Sequence, residues 1–394
     1  MTGDEMSAVF QESVAPRRSG GDGGLRVMMV QTQAENAGAQ EISRLVGAGL
    51  EARGYRVDHL FFYSRTGGAA DLGHVEVCVE GRPRDPIALA RFVWAARAKI
   101  AAARPDVVLT FQHYGNVLGA PIARLAGVRR VIANQVSASD VVAPWLRRAD
   151  EIFGRIGLYD AITVNSKDTL RLYEHHPESY RRRIVSIPHG FELKRSRLDR
   201  AAARARFGLP EGVELLGCAA RLHPTKRLDL AIRLLPSMPA RHLALAGQGA
   251  DLERLQSLAA DLGVAERVHF VGELQPTRIG EFLAALDLFV FPTVAETFGL
   301  AGVEAAAAGI PVVATDLPVL REVLEADGRP AAILVDTADT PAFAAAVDRV
   351  FADPDLAAGL RTAGAGLARR FSLDAMIDAY ARLIDDVAQV RRAA

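Results

Sequence analysis

One glutamate stands alone in the most apolar segment of the sequence. Glu304 is the only charged residue from position 301 to position 314, among alanine, glycine, valine, isoleucine and proline. We expect this segment to be buried, and a buried carboxylate is costly unless its oxygens accept hydrogen bonds. Two neighbouring hydroxyls of a ligand, such as those of a ribose, could supply these bonds, and backbone amides could do the same.

A second glutamate precedes the same segment. Glu296 is separated from Glu304 by seven residues and falls in a loop after a predicted strand. A helix should begin near Phe298 or Gly299 and end at Gly309. The amino end of this helix would favour a negatively charged ligand group.

Two cations follow another predicted strand. Arg221 and Lys226 stand on either side of a short turn that contains Pro224. Cations at the carboxyl end of a parallel strand could bind a diphosphate without a metal ion. Their spacing alone also fits two solvated surface cations, which is the favoured interpretation if nothing else is considered.

A glycine pair follows a third predicted strand. Gly247 and Gly249 would suit a dinucleotide-binding turn, but Leu252 occupies its third position, so the fingerprint is incomplete. We interpret the pair as a close approach of the backbone to a ligand, with a plain turn as the alternative.

Short apolar segments alternate with helical patterns along the chain. This alternation predicts an α/β fold with two doubly wound Rossmann-like domains, each with ligands at the carboxyl ends of its parallel strands. The predicted strands are 25–30, 55–62, 106–111, 130–135, 161–165, 183–188, 214–220, 242–247, 267–272, 286–291, 311–315 and 331–335.

The length of 394 residues suits two domains rather than one core. The polar, glycine-rich residues 1–24 predict a disordered tail. We expect the first domain at 25–190 and the second at 191–371, while 372–394 contains an amphipathic helix.

The composition limits the partners and the compartment. Lysine plus arginine and aspartate plus glutamate number 47 each, so the charge predicts no nucleic-acid partner. Cys78 and Cys218 form no metal-ligand pattern and favour a reducing compartment with free thiols. Since we find neither a signal peptide nor a membrane-spanning run, we expect a cytoplasmic protein. Segment 90–105 interleaves basic and apolar residues; a solvated surface helix is favoured, and weak peripheral membrane contact is the alternative.

Several motifs together resemble one family. The segment ETFGLAGVEAAAAGIPVVATD, which starts at Glu296, resembles the E-x7-E region of glycosyltransferase family 4. The segments ARLHPTKRLDLAI, LAGQGADLERL, VHFVGEL and VSIPHGFE also fit the family order. The resemblance covers roughly residues 25 to 390. It implies retaining enzymes of GT-B architecture, with two domains facing a cleft and a carboxy-terminal helix that crosses back to the first domain.

The resemblance implies a role for each matching position. Arg221 and Lys226 would neutralise the leaving nucleoside diphosphate in place of a metal, so no metal and no other cofactor are expected. Glu304 would bind the ribose hydroxyls, and Glu296 would contact the donor sugar. The backbone near that sugar and the pocket for the nucleotide would involve Phe298, Gly299, Leu300, Gly247, Gly249 and the segment from Gly272 to Leu274.

The first half departs from the family pattern. Only Gly38 is present where many members have a pair of glycines after the first strand. Asn134 and Gln135 stand where many members have a histidine near the reacting sugar. His113, at the end of another predicted strand, is a candidate substitute, and a structural role for it is equally favoured.

The resulting hypothesis is a retaining glycosyltransferase that moves a sugar from a nucleoside-diphosphate sugar to a hydroxyl acceptor. Three alternatives remain open: another GT-B enzyme such as a sugar-nucleotide epimerase or a phosphorylase, a non-catalytic sugar-nucleotide-binding protein, and a nicotinamide-dependent oxidoreductase. The incomplete dinucleotide fingerprint argues against the oxidoreductase. The sequence does not indicate the base, the sugar or the acceptor.

Overall fold

The computed structural model describes residues 24–34, 38–64, 74–136 and 142–389. Of the tail predicted at 1–24, all but Gly24 lies outside the described residues, as do the last five residues of segment 372–394.

The first domain is a parallel sheet covered by helices. Its seven strands run in the order β3-β2-β1-β4-β5-β6-β7. The strands are β1 (Arg26–Ala34), β2 (Arg56–Ser64), β3 (Val75–Val79), β4 (Val107–Phe111), β5 (Val131–Gln135), β6 (Ala161–Val164) and β7 (Ile184–Ser186). The helices are α1 (Gly38–Glu51), α2 (Pro86–Ala103), α3 (Gln112–Leu125), α4 (Pro144–Ile156), α5 (Lys167–Leu172) and α6 (Glu178–Arg181).

The second domain repeats this architecture. Its six parallel strands run in the order β10-β9-β8-β11-β12-β15, and β13 and β14 form a separate antiparallel pair. The strands are β8 (Glu214–Ala219), β9 (Arg241–Ala246), β10 (Val268–Gly272), β11 (Leu288–Phe291), β12 (Val312–Thr315), β13 (Glu325–Ala326), β14 (Arg329–Pro330) and β15 (Ile333–Val335). The helices are α7 (Arg200–Arg206), α8 (Leu228–Leu234), α9 (Leu252–Asp261), α10 (Ile279–Ala285), α11 (Leu300–Ala307), α12 (Pro318–Val323), α13 (Thr340–Ala352), α14 (Pro354–Arg370) and α15 (Leu373–Gln389).

The predicted α/β fold with two Rossmann-like domains is confirmed. Each of the twelve predicted segments overlaps a strand of the two parallel sheets. The sequence missed β3, an edge strand whose residues are partly exposed, and the two-residue strands β13 and β14. Strands this short or this exposed lack the buried apolar run that identified the others.

Helix α15 crosses back onto the first domain, as the resemblance implied. Its residue Ile377 packs so closely on α1 that a Cβ at Gly49 would lie 2.2 Å from the Ile377 Cδ1 atom. Tyr380 Oη donates to Asn134 Oδ1 at 2.8 Å. Arg53 pairs with Asp378 at 2.6 Å. Residues of α15 therefore pack on α1 and on the first sheet.

Two further observations concern the cysteines and the length of the apolar helices. Cys78 and Cys218 are free thiols. In the described part of the chain, no helix combines the length and the apolar character needed to cross a membrane.

Candidate active site

A cavity of about 730 Å³ lies between the two domains, at the carboxyl ends of their strands. Eleven of the thirteen residues that the sequence analysis singled out line it: Gly38, Arg221, Lys226, Gly247, Gly249, Leu274, Glu296, Phe298, Gly299, Leu300 and Glu304. The other two, His113 and Gly272, do not. Residues that are distant in sequence thus meet at the edge where a doubly wound fold binds its ligands.

Lys226 and Glu296 form an ion pair in the wall of this cavity. Lys226 lies in the short 3₁₀ turn 224–226 after β8, and its Nζ is 2.5 Å from Glu296 Oε1. The loop that contains Glu296 is held on that turn because Val294 N donates to Thr225 O at 3.0 Å. Both side chains are largely buried. The pair therefore presents one cation and one carboxylate at fixed positions.

Arg221 lies one turn earlier and is exposed to the cavity. It lies two residues after the end of β8, so its position is set by the end of that strand. Two cations consequently face the cavity from the loop between β8 and α8. Because Glu296 offsets part of the charge of Lys226, this arrangement can stabilise a negatively charged ligand group rather than neutralise two full charges.

The start of α11 is shaped by a glycine. Gly299 has φ +76°, and a Cβ there would lie 2.5 Å from Leu320 Cδ2. The preceding Phe298 is buried against His189 and Phe371, with ring centroids 5.2 Å and 5.0 Å away. The left-handed conformation and this packing fix the amino end of α11 at the cavity.

Gly247 and Gly249 allow two loops to meet. A Cβ at Gly247 would lie 1.9 Å from Ala220 O, and one at Gly249 would lie 2.2 Å from Leu222 O. Gly272 supports the same loop, because its carbonyl accepts from Gly247 N at 2.7 Å. The glycines thus bring the Gly247 loop against the loop that contains Arg221, which is a structural reason for residues without a Cβ.

Glu304 lies on α11 and is only 7% exposed. Among the described residues, its Oε1 has no hydrogen-bond partner. Burial raises the pKa of Glu304 to about 8. Lys194 Nζ, at 3.9 Å, is close enough to lower that pKa but does not offset burial. A buried carboxyl group with an unsatisfied oxygen at a cavity is available to a ligand.

Lys194 belongs to a charged cluster that the sequence analysis missed. It lies between β7 and α7, and its Nζ donates to Glu41 Oε1 at 2.8 Å and to Glu192 Oε2 at 3.3 Å. Arg44 donates to the carboxylate of Glu41 and to that of Glu192. Burial opposes the charge of Lys194, but Glu41 and Glu304 raise its pKa above the ordinary value. In the sequence Lys194 is only one cation of a basic stretch, so spacing gave no signal.

The first-domain wall also differs from the sequence prediction. His113 is 3% exposed on α3, and burial lowers the pKa of its imidazole. Its neighbour Gln112 lines the cavity instead, with φ +66°. A glutamine in the left-handed region is strained, and such strain clusters at functional sites. His113 is therefore buried away from this cavity and Gln112 lines it, while the role of His113 in catalysis stays a prediction.

Asn134 and Gln135 do not line the cavity either. Both are fully buried, and Asn134 bridges three elements through Thr110, Thr163 and Tyr380. Another residue, His189, does line the cavity, and burial lowers its pKa to about 3, so its imidazole is neutral. The sequence analysis quoted His189 only as part of a motif.

In the described ranges, no group of three or more His, Cys, Asp or Glu residues is arranged to hold a metal ion. The expectation of a metal-independent reaction stays a prediction.

Two family models match adjacent parts of the chain. The Glycosyltransferase Family 4 model matches residues 38–195, and the model for glycosyl transferases group 1 matches residues 199–366. Together they cover both domains.

Curated relatives agree with these matches. The chain is 33% identical over 271 residues to a GDP-mannose-dependent alpha-(1-6)-phosphatidylinositol monomannoside mannosyltransferase of Mycolicibacterium smegmatis, covering 64% of this chain and 68% of that protein. It is 31% identical over 294 residues to a D-inositol 3-phosphate glycosyltransferase of Acidothermus cellulolyticus, covering 70% and 64%. A second such enzyme, from Geodermatophilus obscurus, is matched over 58% of this chain and 54% of its own length at 33% identity. The chain thus spans between about half and two thirds of the inositol phosphate enzymes.

Solved structures share the architecture. Sucrose-phosphate synthase from Thermosynechococcus elongatus superposes with a TM-score of 0.76 at 22% identity, over 92% of this chain and 99% of that one. HepE of Anabaena, solved in complex with UDP and glucose, gives a TM-score of 0.78 at 19% identity over the same shares. At these identities the likeness shows the fold alone. The family matches and the relatives, together with this shared fold, show that the chain belongs to glycosyltransferase family 4, with GT-B architecture.

Proposed function

We propose that the protein is a retaining glycosyltransferase that moves a sugar from a nucleoside-diphosphate sugar to a hydroxyl acceptor. The observation that supports this most strongly is the second-domain wall of the cavity. It presents the cations Arg221 and Lys226, the paired carboxylate Glu296 and the buried carboxyl group of Glu304. The cations suit the diphosphate, and the two glutamates suit the hydroxyls of the sugar and of the ribose.

The diphosphate would lie against Arg221 and Lys226, at the amino end of α11. The negative charge that develops on the leaving phosphate would be stabilised by the two side chains and by the backbone amides of the helix end. This is electrostatic stabilisation from groups already in position, so we propose that no metal is required.

The remaining parts of the donor would meet the two glutamates. Ribose hydroxyls would donate to Glu304, whose Oε1 lacks a partner within the described structure. Hydroxyls of the sugar would donate to Glu296, whose carboxylate Lys226 already holds in place. In this proposal Glu304 contributes to the affinity for the nucleotide, and Glu296 stabilises the sugar as it reacts.

Same-face attack is the proposed route to retention. Glu41 is a first-domain carboxylate at the cavity, but both its oxygens accept hydrogen bonds, from Arg44 and from Lys194. A carboxylate bound in this way is a poor nucleophile. The acceptor oxygen would instead attack the anomeric carbon as its bond to the diphosphate breaks, and the acceptor proton would pass to the departing phosphate oxygen.

The curated relatives are named for inositol 3-phosphate and for a phosphatidylinositol mannoside. A polyol or glycan hydroxyl is therefore the first class of acceptor to test for this chain. A thermal-shift panel of UDP, GDP, ADP and dTDP, each alone and with its sugars, identifies the donor, since ligand at a hundred times its dissociation constant adds about 2.7 kcal/mol of stability.

Turnover then separates the alternatives. Release of the nucleoside diphosphate that depends on an acceptor supports the transferase. Conversion of the donor without an acceptor would support an epimerase. Tight donor binding with neither reaction, across glycan, polyol and lipid acceptors, would support a binding protein.

We also propose weak contact of α2 with anionic membrane surfaces. Ile87 and Trp94 on this helix are 68% and 71% exposed. Arg97 donates to Leu125 O, and Lys99 is paired with Glu76, so less positive charge faces outward than the sequence indicates. We expect salt-sensitive sedimentation with anionic vesicles that Trp94→Ala weakens. Tight sedimentation with neutral lipid in high salt would contradict this.

A further inference from the structure

Lys194 connects the two domains at the wall of the cavity. Its side chain is only 7% exposed and lies among three carboxylates from three parts of the chain: Glu41 on α1, Glu192 in the segment between the domains, and Glu304 on α11. The distances from Lys194 Nζ to these carboxylates are 2.8, 3.3 and 3.9 Å respectively. The ammonium group of Lys194 therefore contacts carboxylates from both walls of the cavity.

The backbone at Lys194 is held in place by α10. A Cβ at Gly280 would lie 3.0 Å from the carbonyl carbon of Lys194 and 2.9 Å from Arg195 O. Only a glycine allows the helix to approach this closely. The ammonium group is consequently presented from a fixed segment and not from a mobile surface side chain.

The cluster carries more negative than positive groups. Glu41, Glu192 and Glu304 face Lys194 and Arg44, and Arg44 is already bound to Glu41 and Glu192. Burial first, and then the charges of Glu41 and Glu192, raise the pKa of Glu304, while Lys194 and Arg44 lower it. Lys194 is the cation that contacts Glu304, with its Nζ 3.9 Å from Glu304 Oε1.

We infer that Lys194 is a positioning residue that supplies the counter-charge for Glu304 when this carboxylate accepts the ribose hydroxyls, and that it links the nucleotide to Glu41 of the first domain. The inference rests on the proposed function, because it takes the ligand of Glu304 to be the ribose of a nucleotide.

The chemistry of the carboxyl group gives the reason. An ionised Glu304 can accept from two ribose hydroxyls, whereas a protonated one carries a donor on one oxygen. Hydrogen bonds to an ionised acceptor are about twice as strong as neutral ones. The affinity for a ribonucleotide should therefore rise as pH increases through the pKa of Glu304, and loss of the Lys194 charge should move that rise to higher pH.

The test compares a nucleotide with its 2′,3′-dideoxy analogue. The probe is the nucleoside diphosphate that gives the largest shift in the thermal panel, titrated by calorimetry at pH 9, above the pKa of Glu304 in the wild type. Lys194→Met should weaken the ribonucleotide by about five- to tenfold, the difference between a charged and a neutral hydrogen bond. It should leave the dideoxy analogue nearly unchanged, and Lys194→Arg should restore the ribonucleotide affinity.

Each outcome has one meaning. Equal loss for both nucleotides in Lys194→Met would make Lys194 merely structural, and no loss for either would overturn the inference. A wild-type protein that binds both nucleotides equally, or binds none, would instead contradict the proposed role of Glu304 or the proposed function itself.

A pH series keeps the inference testable if Lys194→Met does not fold. Glu41→Gln removes a carboxylate that raises the pKa of Glu304. The rise in ribonucleotide affinity should therefore move to lower pH in Glu41→Gln, the direction opposite to that in Lys194→Met. The dideoxy analogue should show neither displacement. A profile in Glu41→Gln that stays where the wild type has it would overturn the inference.

Discussion

The two domains contribute to the same cavity in different ways. The second-domain wall is built from short local units in which a strand ends, a turn follows and a helix begins, and each unit places its own polar residue. Lys226 and Glu296 come from two such units and meet in an ion pair. On the first-domain side, Gln112 reaches the cavity through a strained backbone, and Lys194 reaches it from between the domains. The residues proposed to bind the diphosphate and the sugar thus come from local strand–turn–helix units, whereas the first-domain side of the cavity depends on tertiary packing.

The largest effect is expected when Lys226, a cation of the second-domain wall, is replaced. Lys226→Met should lower kcat/KM by about 10²–10³-fold, the usual loss when one group that stabilises a developing negative charge is removed. Steady-state kinetics with the identified donor measure it.

Arg227→Met is the matched control. Arg227 follows Lys226 on the same turn but pairs with Asp229 and does not line the cavity. Similar losses in both variants would mean that the turn, rather than the Lys226 ammonium group, is what matters.

The two glutamates of the same wall should separate binding from turnover. Glu304→Gln keeps the size of the side chain but cannot ionise. Above the pKa of Glu304, which is about 8, this change should weaken nucleoside-diphosphate binding about ten- to a hundredfold, or about 1.5–3 kcal/mol. Glu296→Gln should lower kcat more than it weakens that binding, since Glu296 is assigned to the sugar.

Calorimetric titration of both variants with the free nucleoside diphosphate decides between these roles. Equal losses of affinity would remove the distinction. An unchanged affinity in a folded Glu304→Gln protein would leave Glu304 as a buried structural carboxylate.

This contrast between the two domains explains which features could be predicted from the sequence. All strands of the parallel sheets except the half-exposed β3 were identified, because buried β-rich runs alternate with amphipathic helices. The polar residues after β8 and β11 followed from their positions at strand ends. The resemblance then attached roles to Glu296 and Glu304 that spacing alone could not decide.

The first-domain side could not be reached by the same reasoning. Whether Gln112 or His113 faces the cavity depends on one backbone angle at the end of β4, and sequence periodicity does not contain it. The contact of Lys194 with Glu304 joins residues that are far apart in the chain, and a single sequence contains no pattern that predicts such a pair.

A smaller effect tests the first-domain wall. Gln112→Gly removes the side chain and also relieves the strain at φ +66°, since glycine adopts this conformation freely. We expect kcat/KM for the acceptor to fall about two- to tenfold, the value of one neutral hydrogen bond, with unchanged nucleotide affinity.

His113→Asn is the comparison for that variant. His113 is buried and away from the cavity, so the change should lower the free energy of unfolding while kcat per folded molecule is kept. A large loss of kcat in well-folded His113→Asn, with Gln112→Gly fully active, would return the reacting position to His113.

The smallest expected effect concerns metal ions and returns to the second-domain wall. If Arg221 and Lys226 supply the charge that faces the diphosphate, a divalent cation adds nothing that the two side chains do not already provide. EDTA should then leave turnover unchanged, and added Mg²⁺ or Mn²⁺ should not raise it. The informative variant is Lys226→Met, in which one of the two cations is missing. Partial recovery of its turnover by Mg²⁺, with no response in the wild type, would show that the side chain occupies the role of a metal. Wild-type turnover that EDTA abolishes and Mg²⁺ restores would refute the assignment of Arg221 and Lys226, and with it the idea that donor chemistry is supplied by local turns alone.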